Sequence, residues 1–578
     1  MSLPGSPLSN DQMAGLLLEA AEALEFLEEN PFKAKAFRKA AESIVRLDKD
    51  VADLVADGTI HLVKGIGPSI ASVVRAWVTS GDTAFLDELK SRLPSGYAEL
   101  RKVQGLGPRR IRRLFEEYGI QGLEDLASAI DEGRLAGSKG FTEKTLDKLR
   151  RSVAEALSYR GLFLLDEAWA WMETIRGVLA GAGIEAEPTG ESRRGMEVLG
   201  RVELLCAGGR EEALGVASAL EAFTGRRPEL SEGRIAVGLP GRPELVVHLC
   251  PEGSRATALF FTTGAPEHVE QLVARSAIES ILVTKTMVSR RGKPVALAQE
   301  GEIYGLLGMR EIPPEAREGR AVEWDFFSSP QGSRLVDRAD VKGVFHVHTS
   351  ASDGKASLQE MVMAAGARGY SWVGVSDHSR SAYYAGGLSV EGLEDQCRAI
   401  DALNEGSAGI TVLKGVESDI LPDGSLDYPD EVLQRLDFVI ASVHSHMDMD
   451  RAAMTRRVLR ALENPRTSVL GHPTGRLLLS RRPYELDVDA VLDAASRLGV
   501  IVELNAHPMR LDLDWRLIRD FTGAGGLVAV NPDAHEPSGY DDMRYGLVMA
   551  RKGLLSAASC VNCMDVREVR EVVSRRWS

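Results

Sequence analysis

Cysteine is scarce: five in 578 residues, without the paired spacing of a disulfide framework. That points to a reducing compartment, the cytoplasm. Cys560 and Cys563 form a CxxC with no second half, so packing at a loop–helix junction is preferred to a redox or zinc site. No apolar run approaches the ~20 residues of a membrane span, and the amino terminus has no signal-peptide pattern. Net positive charge is lacking too. At a formal −15, the chain must hold any polyanion on local basic surfaces rather than through its overall field. The remaining composition, 44% hydrophobic and 26% charged, is that of an ordinary soluble protein. The length allows roughly three or four cores of ~150 residues.

What the chain does have is a recurring strand-end pattern. GVFHVHTSASDG reads as a strand closing on His346 and His348, with Asp353 in the turn. Side chains alternate faces along a strand, so residues i and i+2 point one way and two imidazoles can reach one cation. Similar apolar runs end in His378 (WVGVSDH), Glu417 (TVLKGVE) and His444 with His446 (DFVIASVHSH). Others end in His472 (SVLGH), His507 (VIVELNAH) and Asp533 with His535 (LVAVNPDAH). The intervals leave room for a helix and loops, and in a parallel β/α barrel the strand carboxyl ends share one rim. A lone strand-end histidine is usually a satisfied polar residue. Eight of the eleven histidines fall between 346 and 535, nearly all in this one setting, which favours a polynuclear site for zinc, manganese or iron.

On these motifs, residues 341–578 resemble a PHP (polymerase and histidinol phosphatase) domain. The resemblance implies a distorted β/α barrel and a metal-dependent phosphoesterase with three divalent ions. The ligands it implies are His346, His348, Asp353, His378, Glu417, His444, His472, Asp533 and His535, with Glu417 bridging and so also catalytic. His446, His507, Arg476 and Arg510 are expected to orient the phosphate or the ligands. GVESDILPDGSLDYPDE, SVHSHM, LGHPTGRLL and ELNAHPMRLDL are further similar to the PHP domain of bacterial family X DNA polymerases. That likeness extends over essentially the whole chain.

Residues 1–80 read as helical. LSNDQMAGLLLEAAEALEFLEEN has an amphipathic period, with Ser9 or Asn10 as its cap, and NPFKAKAFRKAAESIVRL is a second, basic helix. In HLVKGIGPSIASVVRAW, Gly65 and Gly67 open a helix in a turn that offers backbone N–H groups to an anion. VQGLGPRRIRRLFEEYG repeats it with Gly105, Gly107 and a basic run, Arg109, Arg110, Arg112 and Arg113. KGFTEKTLDKLRRS is an eroded third copy, with Thr142 at the second glycine. These elements resemble helix-hairpin-helix clamps, which hold DNA phosphates without reading sequence. The lysine nucleophile of lyase-competent family members falls on Val73, with Ser69 at the neighbouring site, so a deoxyribose-phosphate lyase is not expected.

TGESRRGMEVLGRVELLCAGG resembles the nucleotidyltransferase signature of the family's palm. Gly190, Arg193, Arg194 and Gly195 match the nucleotide-binding turn, but its serine is Glu191. The two metal-binding aspartates fall on Arg201 and Glu203, and the third carboxylate on Val246. Two-metal phosphoryl transfer needs carboxylates to hold its cations, so the expectation is a nucleotide site kept only as a vestige. A shifted register in which Glu197, Glu203 or Glu244 rebuild it is the alternative.

The expected architecture is multidomain α and α/β. It comprises helix-hairpin-helix domains at 1–80 and 81–158, a degenerate palm at 159–252, a thumb at 253–320, a linker at 321–340 and the barrel at 341–578. The function expected is that of a cytoplasmic, monomeric DNA-repair protein that binds gapped or recessed DNA and hydrolyses phosphodiesters, as a 3′–5′ exonuclease or phosphoesterase. The alternatives are a manganese-dependent gap-filling polymerase, a DNA-binding scaffold, and a small-molecule phosphatase for which the hairpins would be pointless.

Overall fold

The computed structural model describes residues 10–45, 47, 49–103, 105–138, 140–328, 334–406 and 409–576. Ser9, the alternative helix cap, lies outside them. The chain divides into two compact units, Met1–Arg160 and Gly161–Ser578.

The first unit is helical throughout its described residues and contains two apolar cores. Met13, Leu17, Ala20 and Leu24 of helix Asn10–Phe26 meet Phe37, Ala41 and Ile44 of helix Pro31–Val45. The many alanines at this contact let the two backbones approach closely. Leu86 and Leu89 also belong to this core, so the expected boundary at 80/81 cuts through packed residues. The second core gathers Leu100, Leu106, Ile111, Leu114, Leu126, Leu149 and Val153.

The second unit begins with a five-stranded sheet in the order Glu187–Thr189, Arg201–Ala207, Glu244–Cys250, Arg234–Val237, Glu229–Ser231. Its central pair, Arg201–Ala207 with Glu244–Cys250, is parallel, and Glu203 lies opposite Val246. Val202, Leu204, Cys206, Leu245 and Val247 face Ile175, Leu179 and Leu220 of the covering helices. By alternation, Arg201, Glu203, Glu244, Val246 and His248 occupy the other face. A smaller core around Phe260, Leu272, Tyr304 and Trp324 follows.

The linker expected at 321–340 is corrected by this core. Residues Ala321–Ser328 are a helix with Trp324, Phe326 and Phe327 buried. Three large aromatic side chains in four residues gain more from burial than a solvated tether would allow.

The carboxyl-terminal part is a parallel barrel with seven strand positions, Thr411–Lys414 and Glu417–Asp419 being two halves of one interrupted strand. One sheet orders Gly343–Val347, Trp372–Val375 and Thr411–Lys414; the other orders Glu417–Asp419, Ile440–Ser442, Val469–Leu470, Ile501–Asn505 and Val528–Asn531. Parallel bridges Val347–Ala534 and His378–Glu417 join the sheets. The strands are buried on both faces and accordingly read as near-continuous apolar runs.

Candidate metal centre

The barrel's strand ends bring all nine expected ligands into four interlocking groups. They are His348–Asp353–His378–His535, His346–Glu417–His472, His346–His348–Asp533 and His378–Glu417–His444, each with donor atoms within 4.8 Å of one another. Glu417 is the hub. Its Oε1 lies 3.2 Å from His346 Nε2, 3.2 Å from His444 Nε2 and 3.0 Å from His472 Nε2, and its Oε2 lies 2.9 Å from His378 Nδ1. His346, His472 and Asp533 have left-handed backbone, with φ of 58°, 22° and 52°. Each such residue costs of order 1–3 kcal/mol and persists only where its surroundings over-determine it, a feature of functional sites.

The donor set fits divalent cations. His346 Nε2, both ring nitrogens of His348, His378 Nδ1 and Glu417 Oε2 are buried and, close as some of them lie, none is aligned for a hydrogen bond. Buried polar atoms are ordinarily satisfied, so a cluster of unsatisfied ones facing one another indicates a ligand. The electrostatics point the same way. Burial opposes ionisation of Glu417 and Asp533, but the surrounding imidazoles hold both well below the usual carboxylate range. Against burial, Glu417 and Asp353 raise His378 to about 10, and Glu417 and Asp419 raise His444 to about 9.

Behind the ligands stands a buried carboxylate layer that sequence reading missed. Glu503 lies 2.6 Å from His346 Nδ1, accepts the His472 N–H at 2.6 Å and accepts from Asn531 Nδ2 at 2.9 Å. Asp419 lies 2.5 Å from His444 Nδ1, and Asn505 Nδ2 donates to Asp533 at 3.0 Å. Asp377 accepts the Thr349 N–H at 2.8 Å and its hydroxyl at 2.7 Å, bracing the turn that carries Asp353. Such partners fix the orientation of a ligating ring and raise its basicity. A sequence signal existed: Glu503 sits inside an apolar strand, where a carboxylate is rarely buried unless paired.

The four further residues expected at this site separate. Arg510 faces it, with Nε 3.5 Å from Asp533 Oδ2. His507 accepts the Met509 N–H at 3.3 Å within the same turn, and burial lowers its basicity. Arg476 is a correction: its guanidinium is spent on Arg510 O at 2.9 Å, Asp514 at 2.9 Å and Leu511 O, so it braces the Arg510 loop instead of meeting a phosphate. His446 is exposed and belongs to none of the four ligand groups.

In the first unit, three turns share one geometry. Gly65, Gly105 and Gly140 have φ of 101°, 89° and 88°, and two residues later Gly67, Gly107 and Thr142 cap helices Pro68–Ser80, Pro108–Tyr118 and Glu143–Ser158. Thr142 uses its side chain, accepting the Thr145 N–H at 3.3 Å, where the other two are glycines. Arg109 and Arg110 are exposed at the start of their helix, whereas Arg112 and Arg113 pair with Glu116 and Glu117.

Compared with known proteins, the chain is 32% identical over 569 residues to DNA polymerase/3′-5′ exonuclease PolX of Bacillus subtilis, covering 97% of this chain and 98% of that one. The chain belongs to the PolX family. Family models match as a helix-hairpin-helix domain at 9–83, a SAM-like helix-hairpin-helix tandem at 97–155 and a PHP domain at 345–507. The barrel is also similar to proteins named as probable phosphatases. That of Acetivibrio thermocellus is 33% identical over 172 residues, 28% of this chain and 64% of that protein; that of Caldicellulosiruptor saccharolyticus is 35% identical over 171 residues, 28% and 64%.

Against this PolX background, the palm face is tied up internally. Glu203 lies 3.1 Å from His248 Nε2, and a Cβ on Gly190 would fall 1.8 Å from its Oε2. Burial opposes its ionisation, but His248, Arg201 and the Glu191 amide together keep Glu203 below the ordinary carboxylate range. Glu244 pairs with Arg234 at 3.4 Å. Glu197 accepts from Trp515 Nε1 at 3.0 Å and from Arg516 at 2.7 Å, in the barrel.

The expected nucleotide-turn residues are likewise engaged. Arg193 bonds Glu300 and, at 2.8 Å, Thr263; Arg194 bonds Glu318 at 2.9 Å and Thr263 O at 2.7 Å. A Cβ on Gly195 would lie 2.2 Å from Val548, so its glycine lets the barrel helix Met543–Lys552 dock. At that junction the fully buried Lys552 pairs with Glu318 and donates to Arg194 O at 3.2 Å. The turn that sequence reading assigns to a nucleotide is thus occupied by contacts that join palm and barrel.

Proposed function

We propose that this PolX-family chain is a DNA-binding phosphoesterase whose barrel hydrolyses phosphodiesters, and that its palm serves as structure rather than as a polymerase. The carrying observation is the contrast between the two sites. The barrel aims unsatisfied histidine and carboxylate atoms at one another, while the palm carboxylates are paired with His248, Arg234 and Arg516.

The nine ligands would hold divalent ions, manganese, zinc or iron by donor type. When bound, such ions supply positive charge to phosphate oxygens and acidify water. The chain's own residues do the rest. Glu417 balances charge across several ligand groups, Glu503 and Asp419 hold His346 and His444 in one orientation, and Arg510 adds a cation beside Asp533 for a phosphate. The hairpin turns bring DNA phosphates to exposed backbone N–H groups, beside Arg109 and Arg110, without reading sequence.

The test is an assay of labelled 3′-recessed DNA with manganese, with and without deoxynucleoside triphosphates. Shortening of the strand in both conditions supports the proposal. Extension with triphosphates and no shortening without them would overturn it in favour of a gap-filling polymerase. Binding with neither reaction would leave a scaffold.

A further inference from the structure

The loop between strand Trp372–Val375 and helix Val390–Glu405 is braced at its base and opens a pair of rings to solvent. Ser379 N–H donates to Glu417 O at 3.0 Å, and Ser379 Oγ accepts the Asp419 N–H at 2.9 Å. Ser381 donates through its N–H to Asp427 at 2.7 Å and through its hydroxyl to Asp419 at 2.8 Å. The chain then doubles back so tightly that a Cβ on Gly387 would fall 1.9 Å from Ser379 O. This bracing ties the loop to Glu417 and Asp419, a ligand and the partner of a ligand.

On that rigid base the side chains are arranged against burial. Ala382 and Ala385 are buried, while Tyr383 is 88% and Tyr384 72% exposed. A loop with this many bonds could have covered its rings; adjacent exposed aromatics at a site rim are therefore a recognition feature rather than scatter. Tyr384 lies at the rim of the metal centre, its ring centroid 6.2 Å from that of His378 and 6.5 Å from that of His444. Arg510 stands beside the same centre, its Nε 3.5 Å from Asp533 Oδ2, whereas Arg481 spends its guanidinium on Gly475 O at 2.8 and 3.1 Å. The rim thus carries an aromatic surface and, in Arg510, a guanidinium group beside the metal centre.

We propose that Tyr383 and Tyr384 form a base-stacking subsite for the terminal nucleotide of a strand whose phosphodiester lies at the metal centre. This rests on the phosphoesterase reading of the barrel. The chemistry is complementary: Arg510 answers the phosphate, and the rings answer the face that every base presents, which makes the subsite tolerant of sequence. A substrate without a base has nothing for the tyrosines to hold, so the subsite selects nucleic-acid ends over simple phosphoesters.

Stacking of one base on an aromatic side chain corresponds to about 5- to 150-fold in affinity. The experiment compares the manganese-loaded full chain with Tyr384→Ala, the double change Tyr383→Ala with Tyr384→Ala, and Tyr384→Phe. The substrates are a single-stranded oligonucleotide and the same strand with abasic residues at both ends. The parent should prefer the normal strand, the double alanine variant should raise KM for it by about 5- to 150-fold, and Tyr384→Phe should retain parental KM. The abasic-ended strand should be cleaved alike by all four proteins, which also reports intact folding and metal loading. In parallel, a terminal 2-aminopurine should be quenched by the parent and by Tyr384→Phe but not by the double alanine variant. Equal KM values on the normal strand, or equal quenching by the parent and the double alanine variant, would overturn the stacking subsite. If the parent cleaves neither strand, the phosphoesterase reading fails, and the 2-aminopurine signal still decides the subsite on its own.

Discussion

Glu503→Gln tests the buried layer behind the proposed metal ligands with almost no change of shape. Glu503 is fully buried, and besides a longer contact from Asn505 Nδ2 at 3.4 Å it meets three close donors: His346 Nδ1 at 2.6 Å, the His472 N–H at 2.6 Å and Asn531 Nδ2 at 2.9 Å. A carboxylate can accept all three. An amide keeps one acceptor oxygen and turns an NH₂ towards at least one of these donors, leaving a buried donor unsatisfied at about 1–3 kcal/mol. It also removes the negative charge that helps hold His346 in its ligating orientation, a change that typically weakens metal affinity by about 10–100-fold. Manganese affinity, measured by competition with a chromophoric chelator, should therefore fall by about one to two orders of magnitude. DNA affinity of the hairpin unit should be unchanged. Parental manganese affinity in a folded Glu503→Gln protein would refute the orienting role of this layer.

Arg109→Ala with Arg110→Ala should weaken binding to gapped DNA and reduce the salt slope by about two phosphate contacts, read by anisotropy titrations across salt concentrations. Lys552 is buried against Glu318, so Glu318→Gln should cost about 3–5 kcal/mol at pH 7 by leaving that ammonium unpaired, as seen in thermal or urea unfolding. Burial opposes ionisation of Glu318, but Lys552 and Arg194 hold it below its usual value of 4.5. Its contribution is thus complete above pH 4.5 and is lost as pH falls through the lower folded value, so parent and variant should converge in stability only under that acid condition. In the palm, Glu203→Asp alone should restore no incorporation of deoxynucleotides, because Arg201 and Val246 still stand where carboxylates are needed. The smallest change expected to yield primer extension on a gapped template combines Arg201→Asp, Glu203→Asp and Val246→Asp, in a protein whose barrel site is disabled.

The barrel and its rim were legible because strand geometry does the gathering. Once apolar runs end in His346, His378, Glu417, His472 and Asp533, parallel packing carries those ends to one place without further information. The layer behind them was less legible. Glu503 sits between Val502 and Leu504, and Asp419 between Ser418 and Ile420, but neither position names the partner that its burial requires. Arg476 was expected to orient the phosphate or the ligands. Only the folded loop reveals its guanidinium spent on Arg510 O, Leu511 O and Asp514. The supposed linker fell to the same limit: its polar SSPQGS drew attention away from Trp324, Phe326 and Phe327, whose burial depends on a core assembled from distant segments. Glu197, a candidate metal carboxylate in sequence, becomes a docking residue because Trp515 and Arg516 come from more than 300 positions away.

In the proposed function the barrel, and not the palm, performs the chemistry. Asp533→Ala tests it most directly, since Asp533 Oδ1 lies 3.4 Å from His346 Nε2 and 3.3 Å from His348 Nε2 within one ligand group. The measurement is manganese-dependent shortening of a labelled 3′-recessed strand, with binding of the same DNA recorded alongside. Asp533→Ala should abolish shortening and leave DNA affinity at the parental value. Shortening at the parental rate by a folded Asp533→Ala protein would contradict it.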